Sequence, residues 1–396
     1  MPRNWIDVIS AGPGAKEGMT LQAREALARA DAVFCAARNA PLVPEEKRRP
    51  LLPLNDALNE IAACENAAVL VSGDAGLYSL LGALSRRFGR ERLRVIPGVS
   101  SLQALCAKLS LPWQEVKILS LHGRECSPEA LCHAARVNRL VFLLLDGERD
   151  PNWVHDVLEA GGLSEVSLTV GERLSYPDER VAPYERRPYN PLSVAMIENP
   201  APKGGLPPIG LRDDAFIRGK TPMTKREIRV QVLSSLRLPP DAVAWDIGAG
   251  TGSVTVEMAR QCPLGRVYAI ERDAEALELI GRNVREFHLQ NVEIIAGEAP
   301  EALRGLPVPT HVFLGGTGGE TKSILRLLED LHASIRLCAT AVTLESASLL
   351  TEALSAYEDF TACQLAVSRL EQVGAYRMFR AQNPVFVFSA ETGGTT

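Results

Sequence analysis

The sequence predicts an α/β protein of two domains, and three observations carry that expectation. Short apolar β-type runs alternate with helical patterns along most of the 396 residues. Each run in the first half closes on glycine with a polar neighbour, the place where open α/β sheets collect their ligands. Between Asn199 and Ile209 stand Pro200, Pro202, Pro207, Pro208 and the pair Gly204-Gly205, a density that neither helix nor sheet accommodates. That stretch reads as a linker, giving domains over 1–203 and 206–396.

In the first half, a strand over Trp5–Ser10 ends in Ala11-Gly12-Pro13-Gly14, and a helix follows from about Leu21 to Ala30. Ala67–Ser72 runs into Gly73-Asp74-Ala75-Gly76, and Leu93–Ile96 into Pro97-Gly98-Val99-Ser100-Ser101. Val116–Leu121 leads to His122-Gly123-Arg124, and Leu140–Leu145 to Asp146-Gly147-Glu148. Continuous apolar strands separated by helices imply a parallel sheet covered on both faces. Leu168–Leu174 and Pro191–Glu198 add strands without long helices between them, which predicts a second, more antiparallel subdomain.

The second half alternates more cleanly. A helix is expected from Thr224, with Glu227 three residues on completing a capping box. Ile228, Val232 and Leu236 then fall on one face. Strands follow at Val243–Ile247, Val267–Glu271, Val292–Ala296, His311–Leu314 and Leu337–Leu344, each succeeded by a helical pattern. The tail, Cys363–Ser368 and Met378–Ser389, holds two β-rich runs with no helix between them. Five β-α units closed by an antiparallel hairpin is a Rossmann-like methyltransferase layout.

Composition narrows the function. Net charge is −5, with 23 Lys and Arg against 25 Asp and Glu up to residue 199 and 20 against 23 beyond. Neither half is basic, which speaks against binding nucleic acid through its phosphates. The longest apolar run, Leu140–Leu145, falls far short of the ~20 residues of a membrane helix. Met1–Asp7 lacks a signal-peptide core, so a cytoplasmic protein with no membrane partner is expected. Eight scattered cysteines form no Cys-x-x-Cys pair; Cys126 and Cys132 beside His133 have no second cluster at zinc spacing. No metal site is expected.

The sharpest motif is Asp246-Ile247-Gly248-Ala249-Gly250-Thr251-Gly252, after a strand and before a helix near Ser253. Glycines let the backbone approach a ligand, and a helix N-terminus offers free N–H groups to an anionic one. The spacing departs from the Gly-x-Gly-x-x-Gly of dinucleotide sites, since residue 253 is Ser. Glu271 closes the next strand, 23 residues after Gly248. A carboxylate there can accept hydrogen bonds from ribose hydroxyls.

This loop resembles motif I of S-adenosylmethionine (SAM) methyltransferases. With the segment Asp213–Lys225, the run Gly297–Leu303, Gly315-Gly316-Thr317-Gly318-Gly319-Glu320 and Ala341-Val342-Thr343-Leu344-Glu345, it resembles the decarboxylating precorrin methyltransferases. The first half resembles the tetrapyrrole methylase family in its precorrin carbon-5 branch. Gly12-Pro13-Gly14, Gly73-Asp74, Pro97–Ser101, Ser120–Arg124, Asp146-Gly147-Glu148-Arg149 and Pro177-Asp178-Glu179-Arg180 carry that likeness. The fused pair is similar to the precorrin-6Y methyltransferase family. Three positions depart from the usual pattern: Ala75 in place of Pro, and Ser193 and Thr340 in place of Asn.

The resemblance implies a tetrapyrrole-methylase fold of two α/β subdomains, then a Rossmann-like SAM-dependent methyltransferase fold. It implies one SAM per domain, methylation of precorrin-6B at carbons 5 and 15, loss of the carbon-12 acetate carboxyl, and precorrin-8X as product in cobalamin biosynthesis. The first half would act on carbon 5. Cofactor contacts carried over by motif are Gly12, Pro13, Gly14, Gly73, Asp74, Ser100, Ser101, Thr224, Gly248, Ala249, Gly250, Thr251, Gly252, Glu271 and Ala299. Substrate-binding candidates are Arg218, Lys220, Gly315, Gly316, Gly318 and Gly319. Arg218 and Lys220 belong to the basic run Phe216–Arg229, part of which is expected to rim the second cleft and grip carboxylate arms. The catalytic base is not fixed; His122, Arg124 and Glu345 are candidates. A homo-oligomer is expected. The alternatives are the same chemistry on a cobalt-containing precorrin, an RNA methyltransferase with an accessory domain, a Rossmann oxidoreductase, or one half retained without catalysis.

Overall fold

A computed structural model describes residues 5–122 and 126–393; the Arg124 candidate lies outside the described residues. The chain divides into two compact units, with the main boundary between Lys203 and Gly204.

The first unit holds two five-stranded sheets. One comprises β1 (Ile6–Ser10), β2 (Ala32–Cys35), β3 (Arg48–Pro50), β4 (Ala67–Val71) and β5 (Leu93–Ile96), all parallel, in the order β3-β2-β4-β1-β5. Alternate residues feed separate cores on its two faces. Val8, Phe34 and Val69 pack on one side, Ile9, Val33 and Leu70 on the other. That is why these strands read as unbroken apolar runs. β2 and β3 had no counterpart among the expected strands: the first is four residues long, the second a charged edge of three.

The other sheet comprises β6 (Lys117–Ser120), β7 (Leu140–Leu144), β8 (Ser167–Glu172), β9 (Arg180–Pro183) and β10 (Ser193–Glu198). Its order is β6-β7-β10-β8-β9, antiparallel except for β6 beside β7.

In the second unit a seven-stranded sheet is built from β11 (Val243–Ile247), β12 (Arg266–Glu271), β13 (Val292–Ala296), β14 (His311–Leu314), β15 (Ile335–Ala341) and β16 (Glu358–Leu365). A separate hairpin of β17 (Ser368–Val373) and β18 (Tyr376–Ala381) precedes the last strand, β19 (Val385–Thr392). The order is β13-β12-β11-β14-β15-β19-β16, with β19 antiparallel to both neighbours. Trp245, Val312 and Leu337 face one core, Ala244, Phe313 and Cys338 the other. The tail therefore contains four strands where two runs were expected; Gln382, Asn383 and Pro384 separate β18 from β19. Among the described residues no helix is long and apolar enough to cross a membrane.

The expected capping box at Thr224 is corrected. The helix spans Arg226–Leu236, its N-cap is Lys225, and no side chain at that position caps it. Asp213 Oδ1 accepts the Arg226 N–H at 3.0 Å, so a carboxylate from the preceding segment does the work of the cap. Glu227 turns instead to Arg369 of β17.

Candidate functional site

Each unit gathers its motif residues around a cavity at the C-terminal ends of parallel strands. In the first unit the cavity measures about 380 Å³. Gly12, after β1, and Gly73, after β4, exchange backbone hydrogen bonds at 3.1 and 2.8 Å, both with positive φ. A Cβ on Gly12 would lie 2.8 Å from the Gly18 carbonyl oxygen, so only glycine fits. Asp74 ties two turns together: Oδ1 accepts the Gly76 N–H at 2.8 Å and Oδ2 the N–H of Gly98, after β5, at 2.9 Å. Ser100 caps the helix Ser101–Leu109 in a capping box with Gln103. Gly12, Pro13, Gly14, Gly73, Asp74, Ser100 and Ser101 all line this cavity.

The second sheet supplies the opposite wall through His122, Asp146, Arg173, Tyr176 and Ser193. Burial opposes the charge on Asp146, but the backbone N–H and guanidinium of Arg149 outweigh it and hold its pKa below the usual carboxylate range. Ala75, where the related pattern has proline, donates its N–H to the Ser10 hydroxyl at 2.9 Å. A proline could not. Ser193 donates its hydroxyl to the Asn190 carbonyl.

In the second unit a cavity of about 220 Å³ is lined from the ends of β11, β12, β13 and β14. Gly248, Gly250 and Gly252 all have positive φ. A Cβ on Gly248 would overlap the backbone of Gly316, so the turns after β11 and β14 lie in direct backbone contact. Glu271 Oε2 accepts the Gly250 N–H at 2.8 Å, and Oε1 accepts those of Arg272 and Asp273 at 2.8 and 3.0 Å. A carboxylate offers about four acceptor sites, so three of the lone pairs expected for ribose are already engaged. Asp246 is fully buried. Its Oδ2 accepts the Thr255 hydroxyl, its Oδ1 has no partner, and burial pushes its pKa up to about 7. The buried Thr251 hydroxyl is likewise unpartnered.

Gly248, Glu271, Ala299, Gly316 and Gly318 line this cavity; Gly315, Gly319, Arg218 and Lys220 do not, and the last two are exposed. Ala249, Gly250, Thr251 and Gly252 form the turn behind the lining, and Thr224 stands outside it. Glu345 is exposed in the first turn of the helix Leu344–Leu354 and does not line the second unit's cavity. Arg229 departs most from the expected basic rim. It is fully buried, bonded to Glu257 and Asp213 at 2.9 Å each and to the carbonyls of Thr224 and Leu211. Its guanidinium lies over the Phe216 ring at 4.6 Å. It anchors the segment that carries Arg218 and Lys220 and takes no part in gripping substrate.

Sequence reasoning missed Asn283. Fully buried, its amide accepts the Ile217 N–H at 2.8 Å and donates to the carbonyls of Ile217 and Thr251 at 3.1 and 2.9 Å. It ties the segment before the helix Arg226–Leu236 to the glycine turn. Arg38 and Arg173 also line the first cavity without having been singled out.

Two different α/β architectures, each with a glycine-walled cavity at its strand ends, are joined in one chain of the methyltransferase class. Residues 6–186 match the family of tetrapyrrole (corrin/porphyrin) methylases, and residues 214–392 the precorrin methyltransferase domain. A Sinorhizobium precorrin-6Y C(5,15)-methyltransferase (decarboxylating) is 32% identical over 88% of this chain and 87% of its own. A Salmonella typhimurium cobalt-precorrin-6B C(15)-methyltransferase (decarboxylating) is 38% identical over 46% of this chain and 95% of its own. The crystal structure of a Geobacter metallireducens precorrin-6Y C5,15-methyltransferase shares 37% identity, covering 47% of this chain and 98% of that one, with a TM-score of 0.44. The chain belongs to the precorrin-6Y C(5,15)-methyltransferase (decarboxylating) family.

Proposed function

We propose that this chain methylates precorrin-6B at carbons 5 and 15 and decarboxylates the carbon-12 acetate, giving precorrin-8X in cobalamin biosynthesis. The first unit serves carbon 5; the second serves carbon 15 and the decarboxylation. The observation that carries this reading is the pair of separate glycine-walled cavities, one per unit, at the strand ends. The relative matched across both halves is named without cobalt, whereas cobalt-named relatives match about half the chain. A metal-free substrate is therefore favoured.

The residues present fit one SAM per unit. In the second unit, Gly248 and Gly316 meet without side chains and form one wall of the cavity, and Glu271 stands at its rim. The unpartnered Asp246 oxygen and Thr251 hydroxyl keep hydrogen-bonding capacity beside it. In the first unit, Gly12, Gly73 and Ser100 make a neutral wall. When bound, SAM supplies a methyl group on a positively charged sulfur. The chain's task is alignment at about 3–3.5 Å and exclusion of water. The electron-rich ring carbon is the nucleophile, and a proton is lost afterwards; His122, lining the first cavity, is the described candidate to accept it there. In the decarboxylation the carboxylate leaves as carbon dioxide, its bonding pair passes into the conjugated ring, and a proton from water replaces it.

We expect a homo-oligomer working in the cytoplasm without nucleic acid. Incubation of the purified chain with labelled SAM and metal-free precorrin-6B should yield a product bearing two added methyl groups and lacking one carbon dioxide. A product with one methyl or none overturns the reading, and a requirement for cobalt replaces the substrate.

A further inference from the structure

We propose that Arg38 and Arg173 form a carboxylate-gripping pair in the first unit's cavity, with the Tyr176 ring as a flat wall beside them. This rests on the reading of that unit as acting on a polycarboxylated ring. A charge inventory of the cavity leads to it. Four charged residues line the space: Asp74, Asp146, Arg38 and Arg173. Both acids are already engaged at every polar atom, Asp74 by the N–H groups of Gly76 and Gly98, Asp146 by Arg149 and the N–H of Glu148. Neither arginine is. Arg38 is exposed and has no ion-pair or hydrogen-bond partner among the described residues. Arg173 engages Asp178 through Nε alone, at 2.8 Å, and no partner for its two terminal nitrogens is found among the described residues. Asp178 is itself exposed, so solvent screens that pair. The unsatisfied charge facing the cavity is thus positive, inside a chain whose net charge is −5.

The loop between β8 and β9 is built to hold this arrangement. Arg173 and Ser175 both have positive φ, at 48° and 69°, a conformation non-glycine residues adopt only where their surroundings impose it. The surroundings do so: Ser175 N–H bonds Glu179, which pairs with Lys108, and Arg173 N–H bonds the Leu192 carbonyl. The result stacks the Arg173 guanidinium 4.5 Å from the Tyr176 ring centroid. It also lays that ring directly on Gly14, where no Cβ would fit. A guanidinium fork suits a carboxylate, and an aromatic face suits a planar ring.

The carboxylate could be an arm of the macrocycle or that of the methyl donor, and the test separates them. In the full chain, R38Q and R173Q should each raise the KM for precorrin-6B in carbon-5 methylation by about tenfold or more. The donor's dissociation constant at the first unit, and carbon-15 methylation by the same molecules, should not change. R38K should recover part of the loss, and added salt should shrink the difference from wild type. D178N, which removes the negative charge paired with Arg173 Nε, should leave the KM unchanged or lower it. The pair is overturned if KM does not move, if donor affinity falls instead, or if D178N is as damaging as R173Q. A wild-type chain that leaves carbon 5 unmethylated removes the underlying reading, and this inference with it.

Discussion

The two cavities answer one requirement with opposite chemistry. In the first unit two arginines line the cavity beside backbone and hydroxyl groups, and its acids are spent on holding loops: Asp74 bonds the N–H of Gly76 in its own turn and that of Gly98 after β5. In the second, one acid stands at the rim and another behind the lining, Glu271 on the glycine turn and Asp246 buried with an oxygen to spare. The first unit can therefore turn its arginines toward an anionic ring, whereas the second invests carboxylates in its glycine turn and cavity rim. Strand-end placement is common to both; the sign of the local charge is not.

Substitutions can break this contrast unit by unit. The largest effect is expected from R229M, which leaves Glu257 buried without its partner; about 3–5 kcal/mol of stability should be lost from the second unit. Denaturant unfolding measures it. Next, G248A drives a Cβ into Gly316 and should cut carbon-15 methylation on the order of a hundredfold while carbon-5 methylation persists, read by product mass. Smaller and pH-dependent is D246N. The folded state holds the Asp246 proton up to about pH 7, whereas the unfolded chain releases it in the ordinary carboxylate range. From the ordinary value upward the folded state binds more protons, so Asp246 makes stability decline as pH rises toward 7, by at most about 1.4 kcal/mol per unit. Unfolding at pH 5 and 6.5 should show that slope in the wild type and its flattening in D246N. Least is A75P in the first unit, which deletes the N–H given to Ser10 and should cost about 1 kcal/mol, read as a lower melting temperature.

What the sequence made legible follows a physical rule. The strands at Val243–Ile247 and Val292–Ala296 and the turn between Asp246 and Gly252 announce themselves through local pattern, and each occurs where expected. β3 does not, because a charged three-residue edge carries no burial signature. Thr224 looked like a cap because capping is a local motif, yet Asp213, eleven residues earlier, displaced it. Arg229 looked like part of a basic rim; only the folded chain brings Glu257 to it, 28 residues away. Arg173 gave no hint at all, since a positive φ at a non-glycine residue is imposed by tertiary contacts and leaves no trace in composition.

The contact between Gly248 and Gly316 has a consequence for anyone who would reshape the second site. Two turns meeting main chain to main chain behave as a single mechanical part, so widening the chamber by lifting one must lift its companion. Engineering for a bulkier methyl-donor analogue will have to redesign the pair jointly, because any side chain placed at Gly248 alone runs into the main chain of the companion turn.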